Sequence, residues 1–291
     1  MKPAPYAYHR AHDVRGATQL LSELGDDAKL LAGGQSLVAM MNFRLARPTA
    51  LVDIDRLTDL SYIKRAQGQL RVGALTRHHT VETCRDPQVL DDFAVLSRAA
   101  RWIGHYPIRA RGTVGGSLAH ADSTAEWCLL AALLDARMVT HSVRGQRSIP
   151  ASEFFHGFLT TELEPDEMVT EIVFPNPAPH AALTEFAQRK GDFAIVAAGV
   201  HLDLDGRSCR GASVALGGVD AAPLRVPAAE QILTGTLDSF GPEVFAEAAD
   251  VAVKEIEPGS DVHGSADYRR KLARTLIIRA CEEATGEAPH P

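Results

Sequence analysis

The chain has 291 residues, 45% hydrophobic and 23% charged, with a formal net charge of −7. That length carries a large core and sets two domains as the starting expectation, while the absence of any Lys/Arg-rich stripe argues against a nucleic-acid partner. Cys84, Cys128, Cys209 and Cys281 form no C-x-x-C pair, so no ligand set for zinc or an iron–sulfur cluster is visible, nor a disulfide framework.

Met1–Tyr6 is followed by no apolar core of the kind a signal peptide needs, and no apolar window is long enough for a bilayer. A cytoplasmic protein without membrane insertion is expected. Residues 13–25 read as a short helix: apolar residues at 14, 17, 20, 21 and 24 share one face, Asp13 caps the start and Gly25 suits the end. A strand over 28–32 runs straight into Gly33-Gly34-Gln35-Ser36, and a second over 50–54 closes a small βαβ-like unit. A strand over 70–74, the beginning of a helix over 80–84 and a helix over 93–103 follow. The chain turns glycine-rich around 109–117, then gives an apolar helix over 125–134 and strands over 137–141 and 168–174. Pro175-Asn176-Pro177-Ala178-Pro179 is the clearest linker, because three prolines in five residues prevent a helix or a central strand. A domain boundary is placed there. Beyond it, 193–204 and 209–216 are expected as a hairpin turning at Asp205-Gly206, followed by helices over 228–233, 242–253 and 268–285.

The chemistry lies in two short segments, Leu31-Ala32-Gly33-Gly34-Gln35-Ser36-Leu37 and Thr113-Val114-Gly115-Gly116-Ser117-Leu118. Paired glycines let consecutive N–H groups point into one concavity, where a phosphate oxygen can approach the backbone. Ser36, Thr113 and Ser117 add hydroxyl donors, so a pyrophosphate would be held without lysines. Neither segment matches G-x-G-x-x-G or G-x-x-x-x-G-K-[ST], which disfavours a Rossmann site or a P-loop. From the residues alone each segment is a nucleotide-phosphate cradle or a tight turn. His78-His79 has no third ligand beside it and reads as surface histidine, and His120-Ala121-Asp122 as a support for the second segment.

The first segment, continuing through Met40-Met41-Asn42-Phe43-Arg44-Leu45-Ala46-Arg47-Pro48, resembles the first FAD loop of the carbon monoxide dehydrogenase medium-subunit family. Ile108 to Asp122 resembles the second loop, and Gln188 to Val196 a third motif opening the second domain. The resemblance covers nearly the whole chain. It implies an α+β protein: a two-lobed FAD-binding domain over 1–177, with lobes of about 1–57 and 58–177, and a smaller α+β domain over 178–291 with an antiparallel sheet and helices. It further implies non-covalent FAD held by Leu31, Ala32, Gly33, Gly34, Gln35, Ser36 and Leu37 and by Thr113, Gly115, Gly116, Ser117 and Asp122. Glu126 matches an acidic position near the ribityl or ribose hydroxyls, Ile103 and Val169 match apolar pocket positions, and Phe193 an aromatic position at the isoalloxazine. Glu126 as a solvated helix residue, and Ile103, Val169 and Phe193 as plain core, are the competing readings. Glu185 departs from the family, because some relatives carry Lys there to stabilise reduced flavin.

By resemblance the chain is the FAD subunit of a molybdenum hydroxylase, with no catalytic acid or base of its own. A large subunit would hold the molybdenum cofactor and a small subunit two 2Fe-2S clusters, assembled as a dimer of heterotrimers. Electrons would pass to FAD and on to NAD, oxygen, a quinone or another carrier. A self-sufficient flavin oxidase and a nucleotide-binding interaction protein are the alternatives.

Overall fold

The computed structural model describes residues 2–205, 208–236 and 241–286. The first elements are β1 (Ala7–Arg10), α1 (Val14–Leu24), β2 (Ala28–Leu31), α2 (Leu37–Asn42) and β3 (Ala50–Asp53). The three strands form an all-parallel sheet in the order β1-β3-β2. Central β3 is buried along its whole length, as expected of a parallel strand covered on both faces. Asp13 accepts a hydrogen bond from the Gly16 N–H at 2.6 Å, and Gly25 ends α1 at φ 77°. Ala17 and Leu21 share a small core with Val52 and Ile54. Helix α2, absent from the sequence reading, starts directly from the first glycine segment.

The next stretch contains β4 (Ile63–Ala66), β5 (Gln69–Gly73), α3 (His78–Glu82), α4 (Pro87–Ala100), α5 (Tyr106–Arg109), α6 (Val114–His120), α7 (Glu126–Leu133), β6 (Arg137–Ser142), β7 (Gly145–Pro150), α8 (Ala151–Phe154), β8 (Phe155–Gly157), β9 (Thr160–Thr161) and β10 (Met168–Phe174). An antiparallel sheet runs β4-β5-β10-β6-β7, and β8 pairs with β9. The helix expected over 93–103 begins earlier, at Pro87, because Asp86 caps it and Pro suits a first turn. It kinks at Phe93 (φ −136°) and stops at Ala100. The second glycine segment is the first turn of α6 rather than a loop.

After the proline linker come β11 (Ala181–Phe186), β12 (Val196–Asp205), β13 (Ser208–Gly217), β14 (Leu224–Arg225), α9 (Pro227–Leu233), β15 (Gly235–Thr236), α10 (Pro242–Ala252) and α11 (Ala266–Thr285). The sheet is antiparallel, β11-β12-β13-β14, with β15 also on β13. Gly206 of the expected hairpin turn lies outside the described residues. Alternate residues of β12 face opposite ways: Val200 and Leu202 join Phe245, Leu276 and Ile277 under the helices, while Ala197 joins the core around α7. That core therefore runs across the linker. Phe193, Ala194 and Ile195 were expected in the strand, yet β12 begins only at Val196. The reason is a turn at 189–192, where the Asp192 N–H bonds the Arg189 carbonyl at 3.1 Å. The segment after it is pinned at Ile195, whose carbonyl accepts from buried Arg269 at 2.5 Å.

Helix α7 is apolar all round, and Trp127 to Leu133 are all buried, as a helix without a polar face must be. Among the described residues no helix is long and apolar enough to cross a membrane. Leu130 is fully buried, so Leu130→Ala is expected to cost ~2–5 kcal/mol, measured as a fall in the denaturation midpoint.

Candidate functional site

A cavity of about 720 Å³ is walled by the N-terminal parallel unit, the start of α6, the start of α7 and the segment carrying Phe193. Every residue singled out from the sequence lines it: 31–37, Ile103, Thr113, Gly115, Gly116, Ser117, Asp122, Glu126, Val169 and Phe193. Sequence reasoning missed His78, Ile108 and the stretch around Thr160–Leu163, which line it too.

The two glycine segments meet backbone to backbone. A Cβ on Gly33 would overlap the Arg111 carbonyl group and stand 2.9 Å from the Gly112 Cα, so only glycine allows this approach. A Cβ on Gly115 would lie 2.6 Å from the Ala74 Cβ. That second contact changes the donor inventory. The N–H groups of Val114 and Gly115 bond the carbonyls of Thr76 (3.0 Å) and Ala74 (2.8 Å), and the Gly116 N–H bonds the Thr113 hydroxyl at 3.1 Å. The second segment thus spends these amides on its own seating and offers the Ser117 hydroxyl. The expectation of a donor run holds for the first segment, where the N–H groups of residues 33–37 have no partner among the described residues. Lys29 is the one Lys or Arg on the wall among those residues, so the donors are mostly neutral.

Charge collects elsewhere in the cavity. Glu126, in the first turn of α7, stands half-buried on the wall, beside Glu185 of β11. Burial, and for Glu126 also the Glu185 carboxylate, push both carboxyls well above the usual range. One Glu185 oxygen, Oε2, is buried without a hydrogen-bond partner. Asp122 accepts from the Thr124 N–H (2.9 Å) and hydroxyl (2.7 Å), which shapes the turn between α6 and α7. Val169 is buried at a bulge in β10, where the register shifts between Val169 and Glu171, and a bulge re-aims side chains. Ile103 packs partly buried against the α7 core. Phe193 is 66% exposed while lining the cavity; the reading of it as a core strand residue is therefore overturned.

A family model described as "FAD binding domain in molybdopterin dehydrogenase" matches residues 4–177, and "CO dehydrogenase flavoprotein C-terminal domain" matches 181–284. The chain belongs to this family. It is an FAD-binding medium subunit of the molybdenum hydroxylases, an oxidoreductase component. The carbon monoxide dehydrogenase medium chain of Hydrogenophaga pseudoflava is 34% identical, over 98% of each chain. The 6-hydroxypseudooxynicotine dehydrogenase complex subunit alpha of Paenarthrobacter nicotinovorans is 42% identical, over 99% of this chain and 97% of that one. A solved structure of quinoline 2-oxidoreductase from Pseudomonas putida 86 superposes with a TM-score of 0.92 at 37% identity, covering 99% of both chains.

The medium subunit's cavity suits FAD on its own terms. The unpartnered amides of 33–37 and the hydroxyls of Ser36 and Ser117 match a diphosphate, the Glu126 carboxyl on the wall matches sugar or ribityl hydroxyls, and an exposed aromatic matches a ring.

The carboxyl pair gives a pH signature. Groups whose pKa is raised on folding favour the folded state at low pH, and that contribution is lost as pH rises through the raised values. Glu185→Gln removes the strain of ionising both groups. At pH 8–9 the flavin-free variant is expected to exceed the parent by ~1–3 kcal/mol, read as a melting point a few degrees higher. The difference should close towards pH 5; a constant difference across this range would contradict the raised carboxyl pKa values.

Proposed function

We propose that this medium subunit relays electrons within a larger assembly, from two 2Fe-2S clusters on a small subunit to an external acceptor, after substrate has been oxidised at a molybdenum cofactor on a large subunit. When bound, FAD supplies the conversion between one-electron and two-electron transfer. The chain's own residues bind and orient: the amides of 33–37 and the Ser36 and Ser117 hydroxyls take the diphosphate, Glu126 takes sugar or ribityl hydroxyls, Ile103 and Val169 exclude water, and Phe193 lies against the isoalloxazine ring. The single observation that carries this assignment is the convergence of three sequence-distant segments on one cavity with a neutral donor run.

The remaining assignments belong to the same proposal. The division falls at the proline segment into 1–177, with lobes of about 1–57 and 58–177, and 178–291. The assembly is a dimer of heterotrimers in the cytoplasm. Val38, Phe43 and Leu45, which follow the first segment, are 43%, 66% and 76% exposed; this ridge supports contact with a protein partner. The relatives named as medium chains and as a complex subunit support the same assembly.

Two measurements test the proposal. An aromatic ring on a flavin gains ~0.5–1.5 kcal/mol beyond burial, so Phe193→Leu should weaken FAD binding several-fold and raise flavin fluorescence. Because Phe193 is exposed, the melting point of the flavin-free chain should hold; a large fall in it with unchanged fluorescence would remove Phe193 from the site. Mixed with the flavin-loaded chain, small subunit reduced with dithionite and freed of the excess should bleach the flavin's visible absorption. Bleaching of the isolated chain by small organic substrates alone would favour a self-sufficient oxidase instead.

A further inference from the structure

The paired histidines at 78 and 79 part company in the fold. His79 faces outward, beside Glu82 at 3.1 Å and edge-on to Tyr106. His78 is only 5% exposed, so its reading as a surface histidine is corrected. Its backbone N–H bonds the Gly112 carbonyl at 3.2 Å, and Arg77 bridges to Thr113, so the start of α3 is zipped along the approach to the second glycine segment. The His78 Nδ1 accepts a hydrogen bond from the Trp127 indole N–H at 3.0 Å, within the core. An indole nitrogen only donates. The imidazole must therefore carry its proton on Nε2.

That nitrogen faces the place where the glycine segments meet. A Cβ built on Gly112 would come within 2.7 Å of both Cδ2 and Nε2, while Gly33 presses on the Arg111–Gly112 backbone from the other side. His78 lines the cavity, and its Nε2–H has no partner among the described residues. Burial, with Arg77 and Arg109 nearby, pushes its pKa down to about 4, so the ring is neutral at ordinary pH. Both guanidiniums are engaged elsewhere: Arg77 on Asp55 (2.5 Å) and the Arg111 carbonyl, Arg109 on Glu82 (2.8 Å) and the Gly104 carbonyl (3.0 Å). With both guanidiniums paired, the imidazole N–H remains a free donor at this wall.

We propose that His78 is a positioning residue for the bound dinucleotide, its Nε2–H, locked in one tautomer by Trp127, donating to an oxygen of the pyrophosphate where the two glycine segments meet. This rests on the placement of the FAD diphosphate at those segments. It adds a donor from outside both motifs, and it ties the ligand to the buried helix α7 through one side chain. A neutral donor loses no binding to deprotonation in the physiological range, unlike a histidinium.

The test compares the full-length, flavin-stripped parent with His78→Phe and His78→Gln, titrated with FAD, ADP, adenosine and riboflavin. A hydrogen bond to a charged group contributes ~1.5–3 kcal/mol, which is about ten-fold or more in affinity. His78→Phe should lose this for FAD and ADP and keep the parent's affinity for adenosine and riboflavin, which lack the diphosphate. His78→Gln, whose amide N–H reaches a similar position, should recover most of the loss. Because His78→Phe strands the Trp127 N–H, imidazole nitrogen NMR of the parent gives a check independent of folding. It should show a neutral Nε2–H tautomer whose proton shifts on addition of ADP. Unchanged ADP affinity in His78→Phe, an equal loss for riboflavin, or an Nδ1–H tautomer would each overturn the assignment. A parent chain that binds neither FAD nor ADP would overturn the diphosphate placement itself, and the assignment with it.

Discussion

The contact on which the site depends is the backbone-to-backbone approach of Gly33 to Arg111 and Gly112. It joins the parallel unit to the antiparallel unit at the wall of the cavity. A side chain at Gly33 would collide with main chain, which cannot swing aside. The same economy appears at Gly115, where the loss of Cβ lets two amides of the α6 start bond to carbonyls at 74 and 76. The two glycine pairs are alike in sequence and unlike in function. The first leaves its N–H groups open; the second closes its own and holds the first in place.

Around this joint the charges are arranged in two opposed sets. Near the glycine segments, Arg77 and Arg109 are held by Asp55, Glu82 and backbone carbonyls. The cavity wall at this joint presents amides, hydroxyls and a neutral imidazole. At the start of α7 the opposite problem is set: two carboxyls share one buried neighbourhood, and one oxygen has no donor. Buried polar atoms without partners are rare because each costs ~1–3 kcal/mol, and this one stands beside Glu126, the carboxyl that lines the cavity.

Helix α7 links the two sets. Its apolar body packs against β12 and β13 and against α4, α6 and α8. Its first turn carries Glu126 to the cavity, and the next residue, Trp127, fixes the His78 ring. A displacement of this helix would disturb both Glu126 and the His78 ring. The segment carrying Phe193 is set from a different direction, by Arg269 of α11 on the Ile195 carbonyl. It can therefore present an exposed aromatic ring without belonging to any strand.

Much of this was legible in the sequence. Periodic apolar spacing gave α1, the caps Asp13 and Gly25 gave its ends, and the uninterrupted apolar run gave α7, because these signals are local and need no partner to be read. The glycine pairs and the third motif marked the cavity wall and, by resemblance, the family. What the sequence could not contain was which amides remain free, since that depends on carbonyls at 74 and 76 meeting residues about forty positions away. It could not separate His78 from His79, because the indole that fixes one of them is 49 residues distant. Nor could it release Phe193 from the strand pattern of its apolar neighbours, where a turn and a buried guanidinium from the last helix decide the path. Local preference wrote the elements; donor availability, tautomer and exposure were settled only when distant segments came into contact.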